Sequence, residues 1–178
     1  MLARLLDGYE PRGATEIRDV ARLRAALDSD VWSRASSLHA TGSALVVHPA
    51  TRTVLLRWHP RMQAWLQVGG HFDPGEDDAF DVARREAVEE TGLPDLHPLD
   101  ETGRRPLQIV IVPVPAHGDE PFHEHADIRY LLATGRPDAI VAESADAALR
   151  WLPFDAAVRA VTDDNLRAGL ERARGALR

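Results

Sequence analysis

A glycine-rich loop that runs directly into an acidic helix limits the folds open to this chain. The loop, residues 69–75, contains three glycines and a proline, a composition typical of turns. Residues 77–91 then have the pattern of a helix. Asp77 and Asp78 lie in its first turn, where the helix dipole favours acidic side chains, and Gly92 is placed to end it. One side of this helix must be buried while its charged side stays accessible.

Three carboxylates share the charged side of the helix. Glu86, Glu89 and Glu90 have i, i+3 and i+4 spacing and fall within an arc of roughly 100°. An adjoining stripe is suited to packing on a sheet: Ala79, Phe80, Ala83 and Ala87. Like charges at this spacing repel each other, and a hard divalent cation such as Mg²⁺ would offset the repulsion. The alternative is a solvated acidic face whose glutamates pair with neighbouring arginines.

The rest of the chain alternates between short apolar runs and helical segments. Strands are predicted at 44–48, 53–57, 64–68, 107–115, 128–133 and 149–152. Helices are predicted at 14–36, 154–161 and 163–177, and a polar connection at 116–125. This order predicts an α+β fold with a mixed β-sheet, in which an N-terminal helical extension (residues 1–36) precedes one domain (residues 37–178).

Composition excludes several kinds of chemistry. The 178 residues include no cysteine and no lysine, which excludes disulfides, thiolate metal ligands, cysteine nucleophiles and lysine Schiff bases. The net charge of −7 argues against binding to duplex nucleic acid, which needs a basic surface. No apolar run is long enough to span a membrane, and the N-terminus lacks the pattern of a signal peptide. We therefore expect a cytoplasmic protein with no membrane partner.

The segment from Gly70 to Leu93 resembles the Nudix box, whose consensus is G-x5-E-x7-R-E-U-x-E-E-x-G-U, with U a bulky apolar residue. The helical half matches closely, with a small residue at the first U: Arg85, Glu86, Ala87, Glu89, Glu90, Gly92 and Leu93. The loop half matches as Gly70-x5-Glu76, but one extra residue separates Glu76 from Arg85. Counting back from Arg85 places Asp77 at the first acidic position. Glu76 and Asp77 are therefore both candidates to pair with Arg85.

The resemblance implies a Nudix α/β/α sandwich and a metal-dependent hydrolase. The implied reaction is cleavage of a diphosphate bond in a nucleoside diphosphate linked to another moiety, with Mg²⁺ or Mn²⁺ as cofactor. The implied metal ligands are Glu86, Glu89, Glu90 and the Gly70 carbonyl, and Glu86, Glu89 and Arg85 are the implied catalytic residues. For the general base, Glu86 and Glu89 compete with three acids outside the box: Glu120, Glu124 and Asp127.

Five residues are candidates for contacts with the substrate: His71, Trp65, His123, His125 and Asp127. On an extended strand, His123, His125 and Asp127 would point to one face. Each candidate has an ordinary alternative, because histidines are common at surfaces and tryptophans usually pack in cores. The three histidines alone do not support a zinc site.

Two other functions are compatible with a Nudix-like fold. Isopentenyl-diphosphate isomerase resembles this fold but uses a catalytic cysteine, which the chain lacks. A non-catalytic nucleotide-binding or regulatory domain usually loses box carboxylates, whereas this chain keeps all three on the helix. The sequence does not specify which nucleotide-like substrate is used. We also expect a homodimer, formed through the N-terminal helical segment or the apolar strand at 107–114.

Overall fold

The computed structural model describes residues 2–99 and 104–177. Within them, eight strands form one mixed sheet: β1 (Leu38–His48), β2 (Thr53–His59), β3 (Ala64–Leu66), β4 (Val68–His71), β5 (His97–Pro98), β6 (Gln108–Val114), β7 (His123–Ala133) and β8 (Leu149–Pro153). The helices of the same residues are α1 (Leu2–Asp7), α2 (Gly13–Ala25), α3 (Ala79–Thr91), α4 (Phe154–Ala160) and α5 (Asp164–Ala176). None of these helices is long and apolar enough to cross a bilayer.

The sheet is built around β1. This strand runs parallel to β7 and antiparallel to both β2 and β4. On the far side of β7, strands β5 and β6 pair with it in antiparallel fashion, while β3 and β8 pair with β2. The mixed sheet expected from the sequence is therefore confirmed.

Side chains of the central strand alternate between two cores. Ala44 and Val46 join the core beneath α1, α2 and α3, whereas Leu45 and Val47 join the core beneath α4 and α5. This alternation follows from the two-residue repeat of a strand, and it buries both faces of the sheet. The result is the α/β/α sandwich that the resemblance implied.

Helix α3 begins two residues later than predicted. The Asp78 carboxylate accepts a hydrogen bond of 2.9 Å from the Phe80 amide, so Asp78 is the N-cap and the helix starts at Ala79. Gly92 ends the helix in the left-handed conformation, with φ of 67°. At Gly42 of β1, an added Cβ would lie only 2.8 Å from the Ala79 carbonyl oxygen, so the helix packs directly on the strand backbone.

The N-terminal extension is less helical than expected. Helix α2 ends at Ala25, and the predicted continuation to residue 36 forms turns. The predicted helical pattern fails where short polar residues follow each other, since Ser29 instead bonds back to the Ala26 carbonyl through both its amide and its hydroxyl. Similarly, the predicted polar connection at 116–125 is shorter, because β7 already begins at His123.

Candidate active site

Two glutamates of α3 meet the glycines of β4. An added Cβ on Gly70 would lie 2.5 Å from both carboxylate oxygens of Glu86, so only glycine allows this approach. One turn further along the helix, the Glu90 carboxylate accepts a hydrogen bond of 3.0 Å from the Gly69 amide. The glycine loop and the acidic helix therefore form one site, as their adjacency in the sequence suggested.

Arg85 joins the loop to the helix. Its guanidinium donates two hydrogen bonds of 2.9 Å to the carboxylate of Glu76, and a third of 3.0 Å to the His71 carbonyl. Asp77 is exposed and takes no part in this contact. Glu76 is thus the partner of Arg85 despite the extra residue, which is accommodated between Glu76 and the N-cap of α3.

Arg85 also contacts two glutamates of its own helix. Its Nη1 lies 2.9 Å from Glu86 Oε1 and 3.1 Å from Glu89 Oε2. Both glutamates therefore pair with a neighbouring arginine, but the solvated acidic face considered above describes only Glu89, whose side chain is 55% exposed. Glu86 and Glu90 differ from Glu89 because both are more deeply buried beside the glycines.

Burial makes Glu86 and Glu90 unusually poor at holding a negative charge without a cation. Desolvation raises the pKa of Glu90 to about 7, although Arg57 and the Gly69 amide partly oppose the shift. Desolvation also raises the pKa of Glu86, with Arg85 acting against it. Clustered carboxylate oxygens beside a main-chain turn are the donors that a hard divalent cation prefers. The residues present therefore fit a divalent metal ion.

A cavity of about 690 Å³ opens beside these carboxylates. It lies on the face of the sheet that α4 and α5 partly cover, and Leu166 of α5 closes one side. Glu86 and Glu90 line it, as do four arginines: Arg34, Arg57, Arg61 and Arg129. A negatively charged chain thus carries a cavity with many cationic groups, and the volume suits a small ligand.

Comparison with known proteins gives the family. The family model described as the NUDIX domain matches residues 38–172, most of the chain. The chain belongs to the Nudix family. No match to a curated protein was found.

Solved structures support the Nudix fold. An Ap4A hydrolase from C. elegans is 19% identical, with a TM-score of 0.60, and the match covers 78% of this chain and 98% of that one. The E. coli dihydroneopterin triphosphate pyrophosphohydrolase is also 19% identical, with a TM-score of 0.59 and coverage of 75% and 92%. A NUDIX family hydrolase from Clostridium perfringens is 20% identical, with a TM-score of 0.52 and coverage of 78% and 95%. At these identities the likeness shows the fold.

The sequence predicts ten residues to act in catalysis, bind the metal or contact the substrate. Seven of them line the cavity and three do not. Those that line it are Gly70, His71, Glu86, Glu90, His123, His125 and Asp127. Arg85 and Glu89 are not part of the cavity wall and form the ion pairs described above. Trp65 is also absent from the wall. Its ring packs edge-on against Trp58, with centroids 5.5 Å apart, and under the guanidinium of Arg150. The contact between Trp65 and the substrate therefore stays a prediction, and Trp65 is the candidate that lies off the cavity wall.

Asp127 is buried and held by three donors. Its carboxylate accepts hydrogen bonds from Thr41 Oγ1 at 3.3 Å, Gln67 Nε2 at 3.1 Å and Arg129 Nη2 at 2.9 Å. A carboxylate that is bonded in this way is fixed in position and poorly placed to accept a proton from water. Of the other acids outside the box, Glu124 pairs with Arg22 away from the cavity, and Glu120 lines the cavity in an ion pair with Arg61.

The predicted histidines come together with one that the sequence did not reveal. His125 Nε2 lies 3.2 Å from His71 Nε2 and 3.1 Å from His123 Nε2. The ring of His39 on β1 packs among all three. Desolvation, together with the neighbouring imidazoles, lowers the pKa of His71 to about 3 and that of His125 to about 4. Burial also lowers the pKa of His39.

Proposed function

We propose that this chain hydrolyses a diphosphate bond in a nucleoside diphosphate linked to another moiety, with Mg²⁺ or Mn²⁺ as cofactor. The observation that carries the proposal is the position of Glu86 and Glu90 at the Gly69–Gly70 turn, on the wall of an arginine-lined cavity. This places oxygen ligands for a cation next to side chains that attract phosphate.

In the proposed site, Glu86, Glu90 and the Gly70 carbonyl would hold the metal, and Glu89 would complete or orient the ligand set, directly or through water. When bound, the metal stabilises charge on the phosphate oxygens and activates the attacking water. Arg85 fixes the loop against the helix through Glu76 and so keeps the carboxylates of Glu86 and Glu90 in place beside the loop. Its role is therefore one of positioning, and it acts on the reaction through Glu86.

The substrate would lie along the arginines of the cavity. Arg57 reaches Glu90 Oε1 at 3.3 Å and Glu143 at 3.1 Å, and a bound phosphate would compete for its guanidinium. Arg61 likewise forms an ion pair with Glu120, and a bound phosphate would compete with that carboxylate for its guanidinium. Both arginines can release surface acids to bind an anion, whereas Arg129 is committed to Asp127 and Gln108 in the interior. His71 and His125 also line the cavity.

Two glutamates on the cavity wall remain as candidates for the general base. The ion pair with Arg61 holds the pKa of Glu120 below its usual value, which weakens it as a base. Burial raises the pKa of Glu86, which would strengthen it as a base, but Glu86 is also a proposed ligand of the metal. Glu89, which lies off the cavity wall, therefore stays a candidate for the base as well, and Glu89→Gln and Glu120→Gln are the variants that test the choice.

A panel of nucleotide-like compounds tests the proposal. It includes Ap4A, nucleoside triphosphates, a pterin triphosphate and ADP-ribose, each assayed with and without Mg²⁺ or Mn²⁺. We expect turnover of at least one compound, complete dependence on the metal, and a fall in kcat of about 100-fold or more in Glu86→Gln and Glu90→Gln. Glu171→Gln, on the exposed side of α5, is the matched control and should keep full activity. No turnover of any compound, with unchanged ligand binding in Glu90→Gln, would favour the non-catalytic binding domain instead.

Two expectations about the protein's setting belong to this proposal. One is a cytoplasmic location, and the other is a homodimer. The apolar strand β6 was one candidate for the dimer contact, but Glu16 and Asp19 of α2 occupy its outer amides at Ile109 and Ile111. A dimer would therefore form through α1 and α2 or another surface rather than by strand pairing along β6.

A further inference from the structure

Three neighbouring strands bring histidines together at one end of the sheet. The parallel register of β1 and β7 places His39 opposite His125, and the antiparallel register of β1 and β4 places His71 opposite Thr41. His39 and Thr41 are two residues apart, so their side chains share a face. One ring nitrogen from each of His39, His71 and His125 lies within 4.8 Å of the other two.

The distances between ring nitrogens are close to those of a coordination sphere. A zinc ion binds imidazole nitrogens at about 2.0–2.1 Å, and two ligands of a tetrahedral ion are then about 3.3 Å apart. The Nε2 atom of His125 lies 3.2 Å from that of His71 and 3.1 Å from that of His123. A ring nitrogen of His39 lies within 4.8 Å of those of His71 and His125.

The buried ring of His39 presents a nitrogen that has no partner. His39 is 1% exposed, and its Nδ1 lies 2.8 Å from the Ser36 carbonyl oxygen. A carbonyl oxygen can only accept, so the hydrogen of the neutral ring is on Nδ1 and the lone pair is on Nε2. That Nε2 is buried without a hydrogen bond in the protein. A backbone carbonyl that holds Nδ1 while Nε2 is free is the arrangement of a histidine that binds a metal.

His123 has the same arrangement. Its Nδ1 lies 3.0 Å from the Pro121 carbonyl oxygen, so its Nε2 also carries a lone pair when the ring is neutral. His125 Nε2 is close to two ring nitrogens, yet an imidazole nitrogen offers either one hydrogen or one lone pair. One of its two contacts is therefore unsatisfied. A cation removes the conflict because it accepts a lone pair from every ring.

We propose that His39, His71 and His125 bind a transition-metal ion of the zinc class, with His123 placed as the fourth ligand. This site is chemically distinct from the one at Glu86 and Glu90, because imidazole nitrogens favour zinc whereas carboxylate oxygens favour magnesium. The ion would link β4, β1 and β7 and add positive charge to the cavity wall at His71 and His125. The sequence alone does not support a zinc site, because only strand pairing brings His39, His71 and His125 together.

The guanidinium of Arg34 hinders metal binding by His71. Arg34 Nη2 lies 2.8 Å from His71 Nδ1, and a guanidinium can only donate, so this contact places the lone pair of His71 on Nδ1. Binding through Nε2 requires Arg34 to move away. Arg34 is exposed, so its side chain is free to do so. Of the acids, Glu120 Oε1 is the one close to the cluster, 3.6 Å from His123 Nε2.

Metal titration of the full chain tests the proposal. Protein stripped with a chelator is titrated with Zn²⁺ in competition with a chromophoric chelator, and with Co²⁺ to record the absorption typical of tetrahedral nitrogen ligands. We expect one equivalent of Zn²⁺ to bind, and His39→Gln and His125→Gln each to weaken it by about 100-fold. His97→Gln, an exposed histidine on β5, is the matched control and should bind Zn²⁺ as the wild type does. Circular dichroism of the metal-free variants checks that they fold.

Two further variants separate the sites without altering a histidine. Glu90→Gln should leave the Zn²⁺ affinity unchanged, and Arg34→Gln should tighten it, since the opposing cation is gone. The proposal is overturned if the wild type binds no stoichiometric Zn²⁺, if His97→Gln weakens binding as much as His125→Gln, or if Glu90→Gln abolishes it. A Zn²⁺ affinity that stays unchanged or falls in Arg34→Gln overturns the proposed ligand set.

Discussion

At Gly70 a missing side chain allows a carboxylate to touch the main chain. The Glu86 oxygens occupy the space that a Cβ would fill, so the position of a proposed metal ligand depends on a residue with no side chain of its own. Gly70 is not in the left-handed region, and its requirement for glycine therefore comes from this contact rather than from its backbone angles.

We predict that Gly70→Ala impairs the reaction far more than it impairs folding. The methyl group displaces the Glu86 carboxylate, and a shift of about 1 Å at a reacting centre costs roughly 100-fold in rate. The free energy of unfolding should fall by only about 1 kcal/mol, because the displaced atoms are the end of a side chain. Steady-state rates over a Mg²⁺ titration and urea unfolding measure the two effects. Gly8→Ala, where a Cβ meets nothing nearer than 3.8 Å, is the control. Equal rates for Gly70→Ala and the control would contradict this account.

Individual residues differ in how far the sequence reveals them. Glu86 and Glu90 follow from helical spacing, because three- and four-residue intervals fix a shared face. The choice between Glu76 and Asp77 depended on loop geometry, and only the two hydrogen bonds from Arg85 decide it. His39 gave no local signal at all, since its neighbours are set by strand pairing across more than 80 residues.

Among the elements, helix α2 protects an edge of the sheet. Strand β6 is an edge strand whose outer amides would otherwise be free to pair with another chain. The carboxylates of Glu16 and Asp19 accept hydrogen bonds of 3.0 Å from the Ile109 and Ile111 amides. These two residues are one turn apart on α2, and the helix therefore covers the edge in place of a further strand.

Glu16 is the centre of this contact. It is 3% exposed and accepts further hydrogen bonds from the Tyr9 hydroxyl, the Arg12 amide and both Nη atoms of Arg172. Burial alone would raise the pKa of Glu16, but the hydrogen bonds from Arg172 and Tyr9 outweigh it and hold that pKa below its usual value. The carboxylate thus joins α2 to β6 and to α5.

We predict that Glu16→Gln lowers the free energy of unfolding by about 3 kcal/mol at pH 7, because a buried arginine loses its partner. The pKa of Glu16 is lower in the folded state, so its contribution is full above pH 4.5 and is lost as the pH falls through the folded-state pKa. Urea unfolding at pH 7 and in acid measures this dependence. Glu171→Gln removes an exposed ion pair with Arg174 on α5 and should cost less than about 1 kcal/mol. Similar losses of unfolding free energy in the two variants would show that Glu16 contributes no more than an exposed ion pair.

The elements themselves were largely predictable, and the misses have physical causes. The helical pattern of α3 was visible because its apolar stripe, acidic start and terminal glycine agree. The end of α2 was missed because apolar spacing continued past the point where Ser29 turns back to the main chain. The sequence predicts a polar connection for the first residues of β7, because His123, Glu124 and His125 carry no apolar signal although they pair with β1 and β6.

At the scale of the whole molecule, the fold concentrates opposite charges in one place. The net charge is −7, yet four arginines line a single cavity together with five acidic residues, among them Glu86 and Glu90. Their sequence separations are large, and the mixed sheet is what brings them together. Sequence reasoning could identify the box and its chemistry, but the cavity wall depends on the order in which β4, β1 and β7 lie side by side.

This concentration of charge predicts how the stability of the metal-free protein depends on pH. Folding raises the pKa of Glu90 from 4.5 to about 7 by desolvation, so between these values the folded state binds more protons than the unfolded state. The contribution of Glu90 to the free energy of unfolding is therefore greatest below pH 4.5, and it falls as the pH rises to about 7. A shift of this size corresponds to a loss of about 3 kcal/mol.

We predict that the free energy of unfolding of the wild type in EDTA, relative to that of Glu90→Gln, falls by up to about 3 kcal/mol between pH 4.5 and pH 7. The glutamine cannot ionise, so the difference between the two proteins isolates the titration of one side chain. The pH dependence of Glu171→Gln should run parallel to that of the wild type, because its carboxylate is exposed. A difference between the wild type and Glu90→Gln that stays constant over this range would show that Glu90 ionises normally in the fold. The desolvation that makes it a strong partner for a cation would then be absent.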